Sequence, residues 1–271
     1  MNQTCRIGSV EFGGSPLSLI AGPCMAEGLD LCLTVARHMA DVCRRLGIGY
    51  VFKASFDKAN RSSAEGYRGP GMETGLAWLA EVRAQVGVPV LSDVHEVGQA
   101  DPCGRVLDCL QVPAFLCRQT DLLVACGRTG KPVNVKKGQF MAPWDMKHAV
   151  AKVESTGNRH VLLTERGTFF GYNRLVTDLR SIPQMRQFAP VVFDATHSVQ
   201  EPGGLGNASG GQREFAPILA MAAMTAGADA LFIETHPEPD KARSDAACQI
   251  PLEQMEGVLR RCLAVRQAAR S

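Results

Sequence analysis

No two of the ten cysteines in this 271-residue chain are spaced as Cys-x-x-Cys. Zinc ribbons and thioredoxin-type redox sites therefore have no support. Cys32, Cys43 and Cys262 fall inside apparent helices, and most of the cysteines read as small buried hydrophobes kept reduced. No apolar run approaches the ~18 residues of a membrane-spanning helix. The opening Met1-Asn2-Gln3-Thr4-Cys5-Arg6 has neither the charged segment nor the apolar core of a signal peptide, so the cytoplasm is the expected compartment. Neither sign of charge dominates: 29 basic residues against 27 acidic ones give a net charge of +2. That balance gives no general case for affinity to nucleic acid or an anionic membrane surface. Linkers, low-complexity tracts and short repeats are also lacking, which predicts one domain over residues 1–271.

What the chain has is an alternation of short β-branched apolar runs with longer amphipathic segments. The strand candidates are Ser18–Cys24, Tyr50–Ser55, Pro89–Val94, Cys109–Ala114, Pro132–Lys137, His160–Arg166, Val191–His197 and Ala230–His236. In Leu29–Leu46, residues Leu29, Leu33, Ala36, Met39, Cys43 and Leu46 share a helix face, and Gly47 is placed to cap it. Met255, Val258, Leu259 and Cys262 repeat the pattern near the C-terminus. Eight β-then-α units predict an α/β fold of the (β/α)8 TIM-barrel type, with residues 1–15 as a short N-terminal hairpin under the barrel. An open doubly wound sheet is the alternative, but no Gly-x-Gly-x-x-Gly follows the first strand.

Each strand candidate ends on a chemically capable group: Cys24, Lys53, Asp93 with His95, Gln111, Lys136, Arg166, His197 and Glu234. Alternation puts Asn134 with Lys136, Thr164 with Arg166, Ala195 with His197 and Phe232 with Glu234, facing inward, while Val133 and Val135 face the helices. So many polar groups at the C-terminal mouth describe an active site rather than a packed core. Lys53, Lys58, Arg61, Arg118, Lys136 and Arg166 suit substrates with several anionic groups. Taken singly, Lys58 or Arg118 is equally well an ordinary surface charge. Lys136 also invites a Schiff-base reading, which needs an amine of depressed pKa. Cys24, His197, Glu234 and Asp245 form a mixed S, N and O donor set for Zn, Fe, Mn or Co. Their long spacing leaves a buried thiol, a core histidine and salt-bridged acids as the plainer alternative. The glycine-rich stretch Gly203–Gly211, within a loop over 200–212, reads as a flexible connection placed to act as a lid or a phosphate cradle.

Six segments together resemble the 3-deoxy-D-manno-octulosonate 8-phosphate synthase family, also called 2-dehydro-3-deoxyphosphooctonate aldolase. They are Phe52-Lys-Ala-Ser-Phe-Asp-Lys-Ala-Asn-Arg-Ser-Ser63, Gln111-Val-Pro-Ala-Phe-Leu-Cys-Arg-Gln-Thr-Asp121, Asn134-Val-Lys-Lys-Gly-Gln-Phe140, Thr164-Glu-Arg-Gly167, Asp194-Ala-Thr-His-Ser-Val199 and Glu234-Thr-His-Pro-Glu-Pro239. The resemblance implies a TIM barrel, a homotetramer, and condensation of phosphoenolpyruvate with arabinose 5-phosphate on the way to lipopolysaccharide. It implies catalytic roles for Lys53, Asp93, His95, Lys136, Arg166 and His197. Phosphoenolpyruvate would be held by Lys53, Lys58, Gln111, Ala114, Lys136 and Arg166. The sugar phosphate would fall to Asn60, Arg61 and Ser62, with Arg118 of a neighbouring subunit. Gly22-Pro-Cys24 and Arg243-Ser-Asp-Ala246 match the metal-dependent branch, with Cys24, His197, Glu234 and Asp245 as ligands; the other branch carries asparagine in place of Cys24. Glu201 departs from the leucine expected before Pro-Gly-Gly. The rival readings are a sister condensation with erythrose 4-phosphate and a non-catalytic barrel that binds phospho-ligands.

Overall fold

Short runs of Val, Ile, Leu and Phe buried on both faces are the mark of parallel strands covered by helices. In the computed structural model, which describes residues 3–60, 65–203 and 210–270, eight such runs pair side by side. They are β3 (Ser18–Gly22), β4 (Gly49–Lys53), β5 (Val90–Asp93), β6 (Cys109–Val112), β7 (Val133–Lys136), β8 (Val161–Glu165), β11 (Val191–Asp194) and β14 (Ala230–His236). All are parallel, and β14 pairs with both β3 and β11, which closes the barrel. Helices α1 (Leu29–Leu46), α2 (Met72–Val86), α3 (Ala100–Val106), α4 (Thr120–Arg128), α5 (Met146–Glu154), α6 (Ser181–Met185), α7 (Ala216–Thr225) and α8 (Met255–Arg270) surround it. This is the (β/α)8 TIM barrel that the alternation predicts. Among the described residues no helix is long and apolar enough to cross a membrane.

Alternation along each strand produces two apolar cores. Leu19, Phe52, Val133, Val135 and Phe193 face the helices. Ile20, Val51, Leu91, Cys109, Leu162, Val192 and Phe232 fill the barrel interior. The predicted hairpin forms as β1 (Cys5–Ile7) against β2 (Val10–Phe12), and its Cys5, Ile7, Val10 and Phe12 plug the interior from below. On α1 the buried face takes in Leu33, Ala36, Met39 and Cys43, and Gly47 closes the helix at a left-handed φ of 67°. All ten cysteines are free and buried.

Two strands end earlier than their apolar pattern suggests, because an acid at the end captures local N–H groups. Asp194 Oδ1 accepts from the backbone N–H of His197 at 2.9 Å and from Thr196 Oγ1 at 3.1 Å. That stops β11 at Asp194, so Ala195 packs with the helix-facing core while His197 sits in a 3-10 turn. The two therefore do not share an inward face as the alternation suggests. Glu165 Oε1 likewise accepts from the N–H groups of Arg166 at 3.1 Å and Gly167 at 2.7 Å, leaving Arg166 beyond β8. The loop that follows carries a short hairpin, β9 (Thr168–Phe169) against β10 (Leu175–Val176). The glycine-rich stretch has a paired stem, β12 (Gln200–Glu201) against β13 (Gly210–Gly211), joined in sequence by residues 202–209, of which 204–209 lie outside the described residues. The last strand, β15 (Ile250–Pro251), adds to the end of β14.

Gly22 is the tightest point of the β3–β4 seam: a Cβ there would stand 2.0 Å from the carbonyl oxygen of Lys53. Gly22→Ala is expected to cost about 1–3 kcal/mol by overpacking, read as a lower denaturation midpoint in urea. An unchanged midpoint would show that the two strands part freely here.

Candidate active site

At the C-terminal mouth a chain of side-chain hydrogen bonds crosses four neighbouring strands. Thr164 Oγ1 donates to Asn134 Oδ1 at 2.7 Å, Asn134 Nδ2 to Gln111 Oε1 at 2.9 Å, and Gln111 Nε2 to Asp93 Oδ1 at 2.6 Å. Ser55 donates to the other oxygen of Asp93. A carboxylate only accepts, so Asp93 sets the direction of both amides in turn. Burial opposes charge on Asp93, but Lys53 and Lys58 outweigh it and hold its carboxyl far below the usual range.

Above this layer stand two buried ammonium groups over one aromatic ring. Lys53 Nζ lies 5.5 Å and Lys136 Nζ 4.1 Å from the centre of Phe232. Each has a buried counter-ion: Lys53 meets Glu234 Oε1 at 2.9 Å and Lys136 meets Asp194 Oδ2 at 2.5 Å. An ion pair of that kind suits an anion-binding ammonium rather than the amine nucleophile of a Schiff-base enzyme. Arg166, only 4% exposed, adds a guanidinium whose Nη1 has no hydrogen-bond partner among the described residues. Its neighbour Lys137 is buried against Glu165 at 3.5 Å and donates to Thr168 Oγ1 at 3.0 Å and the Gly167 carbonyl at 3.2 Å, which anchors the turn that carries Arg166.

The donor set gathers beside Lys53, whose Nζ donates to Glu234 Oε1 and to the Cys24 carbonyl, each at 2.9 Å. One ligand atom each from Cys24, Glu234 and Asp245 lies within 4.8 Å of the others. His197 Nε2 stands 3.8 Å from Glu234 Oε1 and 3.8 Å from Asp245 Oδ2, while its Nδ1 faces Asp194 Oδ2 at 2.7 Å. A carboxylate on Nδ1 leaves Nε2 as the ring's open donor, a familiar support for a metal-binding histidine. Glu234 Oε2 is buried with no partner among the described residues, an orphan that a cation would satisfy. Burial pushes the Cys24 thiol well above its ordinary pKa, and Glu234 adds to the effect. Burial also opposes charge on Asp245, yet His197 and Lys58 outweigh it and lower its carboxyl. A soft thiol, an imidazole and two ionised acids at these distances fit a divalent transition metal. Asp245 takes a left-handed φ of 48°, uncommon outside glycine, and Gln249 ties its loop to the segment just after β3 by accepting from the Cys24 N–H at 3.3 Å and donating to the Ser244 carbonyl at 2.8 Å.

These groups border a cavity of about 740 Å³, whose wall includes Lys53, Lys58, Asn60, Asp93, His95, Gln111, Ala114, Lys136, Arg166, His197 and Asp245. Cys24 and Glu234 reach it through their contacts with Asp245 and Lys53. Arg61 and Ser62 lie outside the described residues. Arg118 does not border the cavity of its own chain; it is exposed ahead of α4, and its carbonyl accepts from Lys152 at 2.8 Å. Sequence reasoning passed over Asp194, Gln200 and Gln249. Asp194 carries the same signal as the residues that were found, a polar group ending an apolar run; Gln200, in the short strand β12, and Gln249, in a loop, carry none.

The sequence profile of the DAHP synthetase I family matches residues 3–269. Curated relatives named 2-dehydro-3-deoxyphosphooctonate aldolase match nearly end to end. The protein of Syntrophotalea carbinolica is 57% identical over 267 residues, covering 98% of this chain and 96% of its own. That of Desulfatibacillum aliphaticivorans is 56% identical, covering 99% and 100%, and that of Granulibacter bethesdensis 58%, covering 94% and 91%. A barrel, a cationic cleft and a match over almost every residue lead to one conclusion: the chain belongs to the DAHP synthetase I family.

Proposed function

We propose that this protein condenses phosphoenolpyruvate with D-arabinose 5-phosphate and water, giving 3-deoxy-D-manno-octulosonate 8-phosphate and inorganic phosphate for lipopolysaccharide synthesis. The observation that carries this reading is the convergence of Lys53, Lys136, Arg166, His197 and Asp245 on one cavity, with Cys24 and Glu234 in contact with Asp245 and Lys53 behind them. The names of the relatives support the same substrates. Lys53, Lys58, Lys136 and Arg166 would hold the phosphate and carboxylate of phosphoenolpyruvate, with Gln111 and Ala114 alongside. Asn60, Arg61 and Ser62 would hold the sugar phosphate. C3 of the enol then bonds to the aldehyde carbon, whose oxygen takes a proton. Water adds at C2, and the C2–O bond breaks to release phosphate. Holding two anionic reactants in register accounts for much of such a rate enhancement. Burial lowers the pKa of His95, whose Nδ1 has no partner among the described residues, so a neutral imidazole stands beside Asp93 to handle a proton or a hydroxyl. Cys24, His197, Glu234 and Asp245 would hold Zn, Fe, Mn or Co, which when bound supplies a charge that polarises an oxygen.

Phosphate release is expected with arabinose 5-phosphate and not with erythrose 4-phosphate. Release with erythrose 4-phosphate alone would move the assignment to the sister condensation, and release with neither would favour a binding barrel. EDTA is expected to abolish turnover and a divalent metal to restore it, while Cys24→Ala, by removing a ligand itself, lowers activity by at least the roughly 10–100-fold that loss of an outer-shell partner costs. Undiminished turnover by Cys24→Ala in chelator would remove the metal from the reading.

The reading extends to a cytoplasmic homotetramer in which Arg118 of a neighbouring copy reaches the sugar phosphate. It is supported by the exposure of Arg118 away from its own cavity and by ten buried, unpaired cysteines. Light scattering is expected to give four chains. A monomer of full activity would take Arg118 out of the site.

A further inference from the structure

Gln200 joins the two halves of the cavity. Its Oε1 accepts from Arg166 Nη2 at 2.9 Å, and its Nε2 donates to Asp245 Oδ1 at 2.7 Å. A guanidinium only donates and a carboxylate only accepts, so the orientation of the amide between them is settled by chemistry. Each neighbour gives Gln200 one polar atom and keeps another. Arg166 keeps Nη1, which has no partner among the described residues. Asp245 keeps Oδ2, which lies 3.1 Å from Cys24 Sγ and 3.8 Å from His197 Nε2.

Arg166 and Asp245 carry opposite charges and feel one another across this gap. In direct contact they would form a bidentate pair, the strongest arrangement open to these two groups. Such a pair would take the guanidinium from an anionic substrate and the carboxylate from a cation at once. A neutral amide with a donor at one end and an acceptor at the other is the side chain that satisfies both without cancelling either. Glutamate would repel Asp245, and asparagine is one methylene shorter. We propose that Gln200 is a positioning residue that holds Arg166 and Asp245 apart, so that the phosphoenolpyruvate clamp and the metal set remain available together. The inference rests on the substrate and metal reading above.

The test uses Gln200→Met, which keeps length and bulk and removes both hydrogen bonds. In protein freed of metal by EDTA dialysis, phosphoenolpyruvate binding by calorimetry is expected to weaken about tenfold. Binding of Co²⁺ without substrate, followed by its thiolate absorption band, is expected to weaken by a similar factor. With saturating Co²⁺, phosphoenolpyruvate affinity should return to within about threefold of the unmodified protein, because the cation draws Asp245 away from Arg166. A second variant, Gln200→Glu, keeps a partner for Arg166 that the metal does not remove, so its weakened phosphoenolpyruvate binding should not be restored by Co²⁺. The inference is overturned if Gln200→Met weakens neither ligand or only one. An equal loss of phosphoenolpyruvate affinity with and without Co²⁺ also overturns it, since general disturbance of the site would behave that way. If the unmodified protein binds neither phosphoenolpyruvate nor Co²⁺, the substrate and metal reading itself falls, and the inference with it.

Discussion

Two lysines buried above the ring of Phe232, each held by a carboxylate, are the constraint around which the mouth of this barrel is arranged. A lone buried charge costs several kcal/mol, so a cleft built to receive anions must neutralise its own cations until the substrate arrives. The closed barrel supplies the answer geometrically. Inward side chains stack in layers drawn from alternate strands. Lys53 on β4 accordingly meets Glu234 on β14, across β3, and Lys136 on β7 meets Asp194 on β11, across β8. Beneath them the chain from Thr164 to Asp93 locks neighbouring strands in register and orients every amide along it.

The carboxylates serve twice. Glu234 Oε1 neutralises Lys53 and also stands 3.8 Å from His197 Nε2, while its Oε2 is buried with no hydrogen-bond partner among the described residues. Asp194 pairs with Lys136 while facing Nδ1 of His197 and ending the strand beneath it. Anion-binding and donor groups are thus parts of one electrostatic unit, and a change to any member alters the field at the rest. Direct collapse of such a unit into internal salt bridges is the hazard of the design, and the neutral amide of Gln200 sits at the point where Arg166 and Asp245 come close.

The stem of the glycine-rich loop shows how an unexpected residue is accommodated. Glu201 follows Gln200 and points to the other side of β12, where it pairs with Arg174 and accepts from Gln212 Nε2 at 3.1 Å. Asn173, at a left-handed φ of 54°, donates to the carbonyl of Pro202. The loop after β8 and the stem after β11 are therefore joined by polar contacts at the place where a leucine would have offered packing alone. Exposed ion pairs of this sort contribute little stability, so their effect lies in where the two loops rest relative to one another.

The eight strands, the α1 helix with its Gly47 cap and the N-terminal hairpin were legible in the residues, because period and punctuation are local properties of a chain. So was most of the cationic set, since lysine or arginine at the end of an apolar run has few other uses. The exact strand ends were not legible: Asp194 and Glu165 turn the backbone aside through their own side chains, which an apolar pattern does not register. Nor could the sequence choose between four scattered acids, thiols and imidazoles and a donor set. Cys24 and Asp245 stand 221 residues apart in the chain, and only closure of β14 onto β3 brings them within 3.1 Å. Gln200 and Gln249 became visible for the same reason. Their importance lies in which two groups each amide touches, and contact between distant parts of the chain is decided by the folded barrel alone.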